Sequence, residues 1–124
     1  DRAPPAKAKF IDPIFEYDRT LGLSVSGGIV YRGEKTPSLR GSYLFGDWGT
    51  GNFWALKYTP GKAADVFKLN WSIEGSPKTE TKEAGIPTSI TKGVFKPVNF
   101  CSDANGELLV LDWNGVVYEL REMR

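Results

Sequence analysis

The side chains best equipped for chemistry occur as an echo. Asp47-Trp48 and Asp112-Trp113 stand 65 residues apart, each followed within three residues by a glycine. A carboxylate in such a turn has two uses. It can accept backbone N–H groups and fix the turn, or it can face a channel mouth and bind a cation or a sugar hydroxyl. Its recurrence favours the turn. Paired acids as general acid and base need a separation and burial that spacing alone does not provide. The indoles have two uses as well, packing between neighbouring sheets or offering a stacking platform for a sugar. Histidine is absent, which removes the commonest general base and the commonest metal ligand.

The echo extends well beyond those four residues. Gly41-Ser-Tyr-Leu-Phe-Gly-Asp-Trp-Gly-Thr-Gly-Asn-Phe-Trp-Ala-Leu56 lies over Gly106-Glu-Leu-Leu-Val-Leu-Asp-Trp-Asn-Gly-Val-Val-Tyr-Glu-Leu120 with one deletion. Each copy is a β-rich run, an Asp-Trp turn and a second β-rich run, which predicts a hairpin. A hairpin recurring at fixed spacing predicts stacked sheets, as in an array of propeller blades.

Composition bounds the rest. Fourteen Gly and eight Pro in 124 residues, without helical periodicity, predict short strands and many turns. Sixteen basic and fifteen acidic residues give a net charge of +1, which argues against a nucleic-acid or anionic-membrane surface. No 18-residue apolar run predicts a membrane span. Cys101 is the only cysteine and reads as a small buried apolar side chain on a strand. The chain begins at Asp1 rather than Met, so excision from a longer protein is expected.

Along the chain, residues 1–9 read as a loose leader and residues 10–124 as a two-blade segment, with blade hairpins near 41–58 and 106–121. Strands are expected over Phe10–Tyr17, Ser24–Gly33, Gly41–Asp47, Asn52–Tyr58, Val66–Ile73, Pro97–Ser102, Glu107–Leu111 and Val116–Leu120. Pro13 restricts the first to an edge. Gly27-Gly28 marks a bulge or close backbone packing. Residues 74–92 read as a long loop, and Asn114-Gly115 predicts a type I′ hairpin. Trp54 and Tyr118 read as core, Trp71 as core or interface, and Glu34, Lys35 and Arg40 as exposed loop charges. A propeller blade has four strands. One orphan strand, one blade of four and one of three follow, with the orphan available to complete a neighbouring blade. Two blades alone leave apolar faces in water, so partners are expected: the remaining blades of one parent chain, or other copies of this chain, three of which would close a ring.

The strings Ser26-Gly-Gly-Ile-Val-Tyr-Arg-Gly33, Leu39-Arg-Gly-Ser-Tyr-Leu-Phe-Gly-Asp47 and Asp103-Ala-Asn-Gly-Glu-Leu-Leu-Val-Leu-Asp112 resemble the closing blades of the glucose/sorbosone dehydrogenase family. That family includes soluble sugar dehydrogenases and the propeller of hedgehog-interacting proteins. The resemblance covers residues 15–121 and implies a six-bladed propeller, of which this chain would be about a third. It also implies sugar oxidation with pyrroloquinoline quinone (PQQ), with calcium polarising the cofactor and a histidine base from an earlier blade. The family's cofactor-contacting lysine falls near Gly49, where this chain has none. Its arginine pair falls on Lys96 and Val98, and a lone lysine is a less directional anion partner than a guanidinium.

The resemblance therefore implies cofactor contacts from Lys96, Asp47 and Trp48, a substrate or channel mouth at Asp112, Trp113, Asn114 and Arg32, and no metal ligand or catalytic residue within these blades. Two functional expectations stand: part of a PQQ-dependent sugar or alcohol dehydrogenase in a periplasmic or secreted setting, or a non-catalytic propeller platform for protein or carbohydrate. Asp103–Glu107 and Gly46–Gly51 read as turns rather than as calcium or phosphate loops.

Overall fold

A computed structural model describes residues 9–71 and 95–122. The described chain is all-β, with two antiparallel sheets and no α-helix. The first sheet holds β1 (Val25–Val30), β2 (Tyr43–Asp47), β3 (Phe53–Lys57) and β4 (Asp65–Lys68) in sequential order. The second holds β5 (Pro97–Ser102), β6 (Leu108–Asp112) and β7 (Val117–Glu119). One 3-10 turn, Pro37–Leu39, lies between β1 and β2. No described helix is long and apolar enough to cross a membrane.

The alternation of side chains sorts each strand onto two faces. In β2 and β3, Leu44 opposes Ala55, Gly46 opposes Phe53, and Phe45 opposes Trp54. The first two pairs face the second sheet. There Leu44, Phe53 and Ala55 pack with Phe100, Leu108, Val110, Phe95 and Tyr31 in one core. Phe45, Trp54 and Leu56 point the other way and form a second cluster. Trp54 is therefore buried as expected, but on the far face of its sheet. Tyr118 is half-buried against the inter-sheet core.

What lets the two sheets meet is the glycine pair in β1. The β1–β2 register shifts between Ser26 and Ile29, a bulge at Gly27-Gly28. Gly27 takes a positive φ of 70°, and any Cβ there would collide with the Phe100 ring. Phe100 thus sits on bare backbone and stacks on Phe53 with centroids 5.6 Å apart.

Several expectations need correction. Phe10–Tyr17 forms no strand. Pro13 lacks the ladder N–H, and Phe15 and Tyr17 instead spend their rings on Phe45 and Trp54 (centroids 6.0 and 5.2 Å). The fourth strand starts at Asp65 and stops at Lys68 rather than running to Ile73, with Trp71 beyond it packed on Phe95 at 4.5 Å. Ile73 and the expected loop 74–92 lie outside the described residues, as do residues 1–8 of the expected leader 1–9.

The expected type I′ turn is also replaced. It requires positive φ at both central residues, and no described non-glycine residue has one. Gly115 alone turns left-handed, at 85°, in a Trp113–Gly115 loop closed by its N–H on the Asp112 carbonyl at 3.0 Å. Cys101 is exposed, not buried. It pairs with Leu109 on the face of β5–β6 turned away from Phe100 and Val110.

Candidate functional site

The two Asp-Trp turns are built to one plan. Asp47 closes β2, and its N–H donates to the Asn52 carbonyl at 2.9 Å. Asp112 closes β6, and its N–H donates to the Val116 carbonyl at 2.8 Å. The second loop is one residue shorter, which is the deletion seen in the repeat. Each aspartate reaches back to the residue that leads into the first strand of its own sheet. Asp47 Oδ2 accepts the Ser24 N–H at 2.7 Å, and Asp112 Oδ2 accepts the Lys96 N–H at 2.8 Å. Each following tryptophan completes the clasp. The Trp48 N–H donates to the Ser24 carbonyl at 2.8 Å and the Trp113 N–H to the Lys96 carbonyl at 2.9 Å.

Asp47 is fully buried and heavily bonded. Oδ2 also accepts the Leu23 N–H (2.8 Å) and the Tyr17 hydroxyl (2.9 Å), while Oδ1 accepts the N–H and hydroxyl of Thr50 (2.8 and 3.0 Å). Burial by itself raises its pKa. The donors at Ser24, Tyr17 and Thr50 outweigh that and hold the carboxyl below its ordinary value, so it stays ionised. Tyr17 moves the opposite way. Burial, then its bond to the Asp47 carboxylate, push the phenol far above its usual range. Asp112 Oδ1 accepts the N–H and side-chain amide of Asn114 at 2.7 and 2.8 Å. A carboxylate offers about four lone-pair sites, so Asp47 has little capacity left for an outside ligand.

Between the two clasps lies a small aromatic cluster. Lys96 Nζ rests over the Trp48 ring, 4.9 Å from its centroid. Trp113 meets Trp48 edge-on, with centroids 6.0 Å apart and planes at 83°. Lys96 is only 8% exposed, and no described carboxylate lies within ion-pair distance of its ammonium. A cation held against an indole keeps part of its electrostatic compensation. Trp113 is 66% exposed.

The fold thus brings together six of the seven site residues named from sequence at one end of the two sheets: Lys96, Trp48 and Trp113 in a cluster, with Asp47 and Asp112 in the turns that carry the two indoles. Asn114 belongs to the same turn through Asp112. Arg32 does not belong. Val25 pairs with Asp47 and Val30 with Tyr43, so Arg32 lies past the opposite end of β1. Six strand residues at about 3.4 Å each put it roughly 20 Å away. There it adjoins Gly106 instead.

That opposite end holds the residues sequence reasoning missed. Glu107 is buried and accepts the Tyr31 hydroxyl at 2.6 Å and the N–H groups of Glu34 and Lys35 at 2.8 and 3.1 Å. The Tyr31 bond, ahead of the opposing effect of desolvation, holds this carboxyl below its ordinary range. Lys35, expected as a plain loop charge, pairs with Glu119 of β7. The repeat does align Glu107 with Ser42, but nothing in the pattern marks one as a cross-sheet tie. The turn reading of Asp103–Glu107 is how that segment is built, with Asp103 Oδ1 accepting the Asn105 and Glu107 N–H groups at 2.8 and 2.9 Å.

Among the described residues, no cluster of three His, Cys, Asp or Glu side chains is placed to hold a metal ion. No protein-family model matches the chain.

Proposed function

We propose that this chain contributes two neighbouring blades to a six-bladed β-propeller of the sugar-dehydrogenase type, working in a periplasmic or secreted setting, with its binding mouth at the Asp-Trp turns. Lys96, seated on Trp48 with no carboxylate partner among the described residues, is the observation that carries the reading. A lysine this buried, with no anion near its ammonium among the described residues, is poised for one. PQQ is planar and bears carboxylates, so Lys96 fits one of its anionic groups and the Trp48 indole fixes where that ammonium points. When bound, the quinone supplies the two-electron acceptor chemistry. This chain's own part is to hold and orient it, since Asp47 and Asp112 are committed to backbone donors and neither serves as a base. The propeller reading draws support from the two repeat-related sheets, packed face to face and clasped by equivalent aspartates. The test is dye reduction by the parent protein supplied with PQQ, calcium and aldoses. Saturable reduction that a Lys96→Gln variant loses sustains the reading, and a parent that binds no PQQ discards it.

The commitment of both carboxylates favours one alternative, a non-catalytic platform for carbohydrate or protein. A parent that binds such a ligand with Lys96 and Trp113 intact, yet takes no quinone, would select it.

A further inference from the structure

We propose that Trp113 is a stacking platform for a pyranose ring at the mouth formed by the two Asp-Trp turns; the proposal deepens the sugar-oxidising reading and rests on it. Trp48 and Trp113 occupy equivalent places in the repeat but have unequal surroundings. One face region of Trp48 receives the Lys96 ammonium and its ring meets the Trp113 indole. Among the described residues no cation lies on the Trp113 ring, and the residue leaves two-thirds of its surface to solvent. An indole that open leaves its face free for a ligand to stack on.

Its position is also fixed rather than loose. Its own N–H is bonded to Lys96, the aspartate before it is clamped to the same residue, and Gly115 closes the loop behind it. A rigid indole loses little conformational freedom when a ligand arrives. Pyranosides suit it because they present an apolar C–H face for the ring and hydroxyls at the rim. The Lys96 ammonium lies on the adjoining indole and stays with the quinone. An acyclic polyol has the same hydroxyls without a flat face, so the platform discriminates by ring shape. Trp71 is the internal contrast: although partly exposed, it spends its ring on Phe95.

The experiment uses the full chain labelled with 15N at its tryptophans and titrated with methyl β-glucopyranoside, then with the acyclic polyol glucitol. The expected result is a saturable shift of the Trp113 indole N–H with the pyranoside and none with glucitol. Read at the Trp48 indole, Trp113→Ala weakens pyranoside binding about ten-fold, equivalent to about 1.4 kcal/mol, and Trp113→Phe restores part of it. Because Trp113 is exposed, these variants should fold, and their melting curves check that. A second arm titrates PQQ into the parent protein by absorbance. Quinone binding that survives Trp113→Ala but fails in Lys96→Gln places the two ligands on separate residues. A Trp113 signal that ignores the pyranoside, or answers glucitol equally, overturns the platform whatever PQQ does. A pyranoside response without any quinone binding sustains the platform and discards the oxidoreductase reading.

Discussion

The hydroxyl of Tyr31 donates to a carboxylate oxygen of Glu107 at 2.6 Å, and the two residues stand 76 positions apart in the chain. Tyr31 follows β1 of the first sheet and Glu107 precedes β6 of the second, so the bond ties one sheet to the other. The same phenolic oxygen accepts the Thr36 N–H at 3.0 Å, which anchors the segment entering the 3-10 turn. Tyr31→Phe removes both functions while keeping the ring. We expect its melting midpoint to fall by roughly 5 °C, and Glu107→Gln to fall in the same direction. A calorimetric scan decides, and an unchanged midpoint would show the tie to be dispensable.

Phe100 over Gly27 makes a second prediction that separates backbone from packing. Gly27→Ala places a β-carbon at positive φ, at a cost of about 1–2 kcal/mol, and also drives it into the ring. Trimming the ring with Phe100→Leu relieves the collision but not the backbone strain. Urea unfolding of both single variants and the double should show coupling, with Gly27→Ala costing less in the Phe100→Leu background. Strict additivity would mean that Phe100 moves freely away from β1.

Acid should weaken the fold through Asp47 and Glu107. Both carboxyls are held below their ordinary values of 3.8 and 4.5 in the folded chain. A depressed folded pKa contributes stability that is present above the unfolded value and is lost as pH falls through the folded one. Urea midpoints should therefore be flat from pH 7 to about 5 and decline below about 4. Asp47→Asn should be less stable at pH 7, by roughly 2–3 kcal/mol, because donors to a charged acceptor lose their partner. Its acid decline should be shallower. A decline as steep as that of the parent would assign the acid sensitivity elsewhere.

Cys101 offers a test of assembly. Its thiol is exposed beside Leu109, on the face of the second sheet away from the first. The 124-residue chain alone should be labelled by a maleimide without denaturant, at one thiol per chain. If that face packs against a further blade, labelling in the parent protein should slow by roughly ten-fold or more, since burial suppresses thiol access. Equal rates in both would argue against a neighbouring sheet there.

Much of this architecture was legible because β-structure writes itself locally. Alternating side chains and turn residues mark a hairpin over a handful of neighbours. The β5 bounds match the expectation, and the β2 and β3 bounds differ from it by a residue or two. The Asp-Trp repeat located both clasps. Cys101 reads as buried because an alternating pattern reports that a strand has two faces, not which face is covered; Phe10–Tyr17 reads as a strand because its apolar residues do not reveal that they pack by their rings, without a ladder. Glu107 went unseen because its partner is Tyr31, and no local pattern joins residues so far apart.

The amino-acid order alone determined the hairpins, their repetition and the residue types gathered in each turn, since these depend on contacts within a few positions. Tertiary packing alone decided that Lys96 lies on Trp48, that Trp113 stands open, and that Arg32 belongs to the other end. Those outcomes depend on how two sheets, separated in sequence, settle against each other around Gly27 and Phe100. Periodicity fixes which side of a strand a residue occupies, and only the packed whole fixes what it meets there.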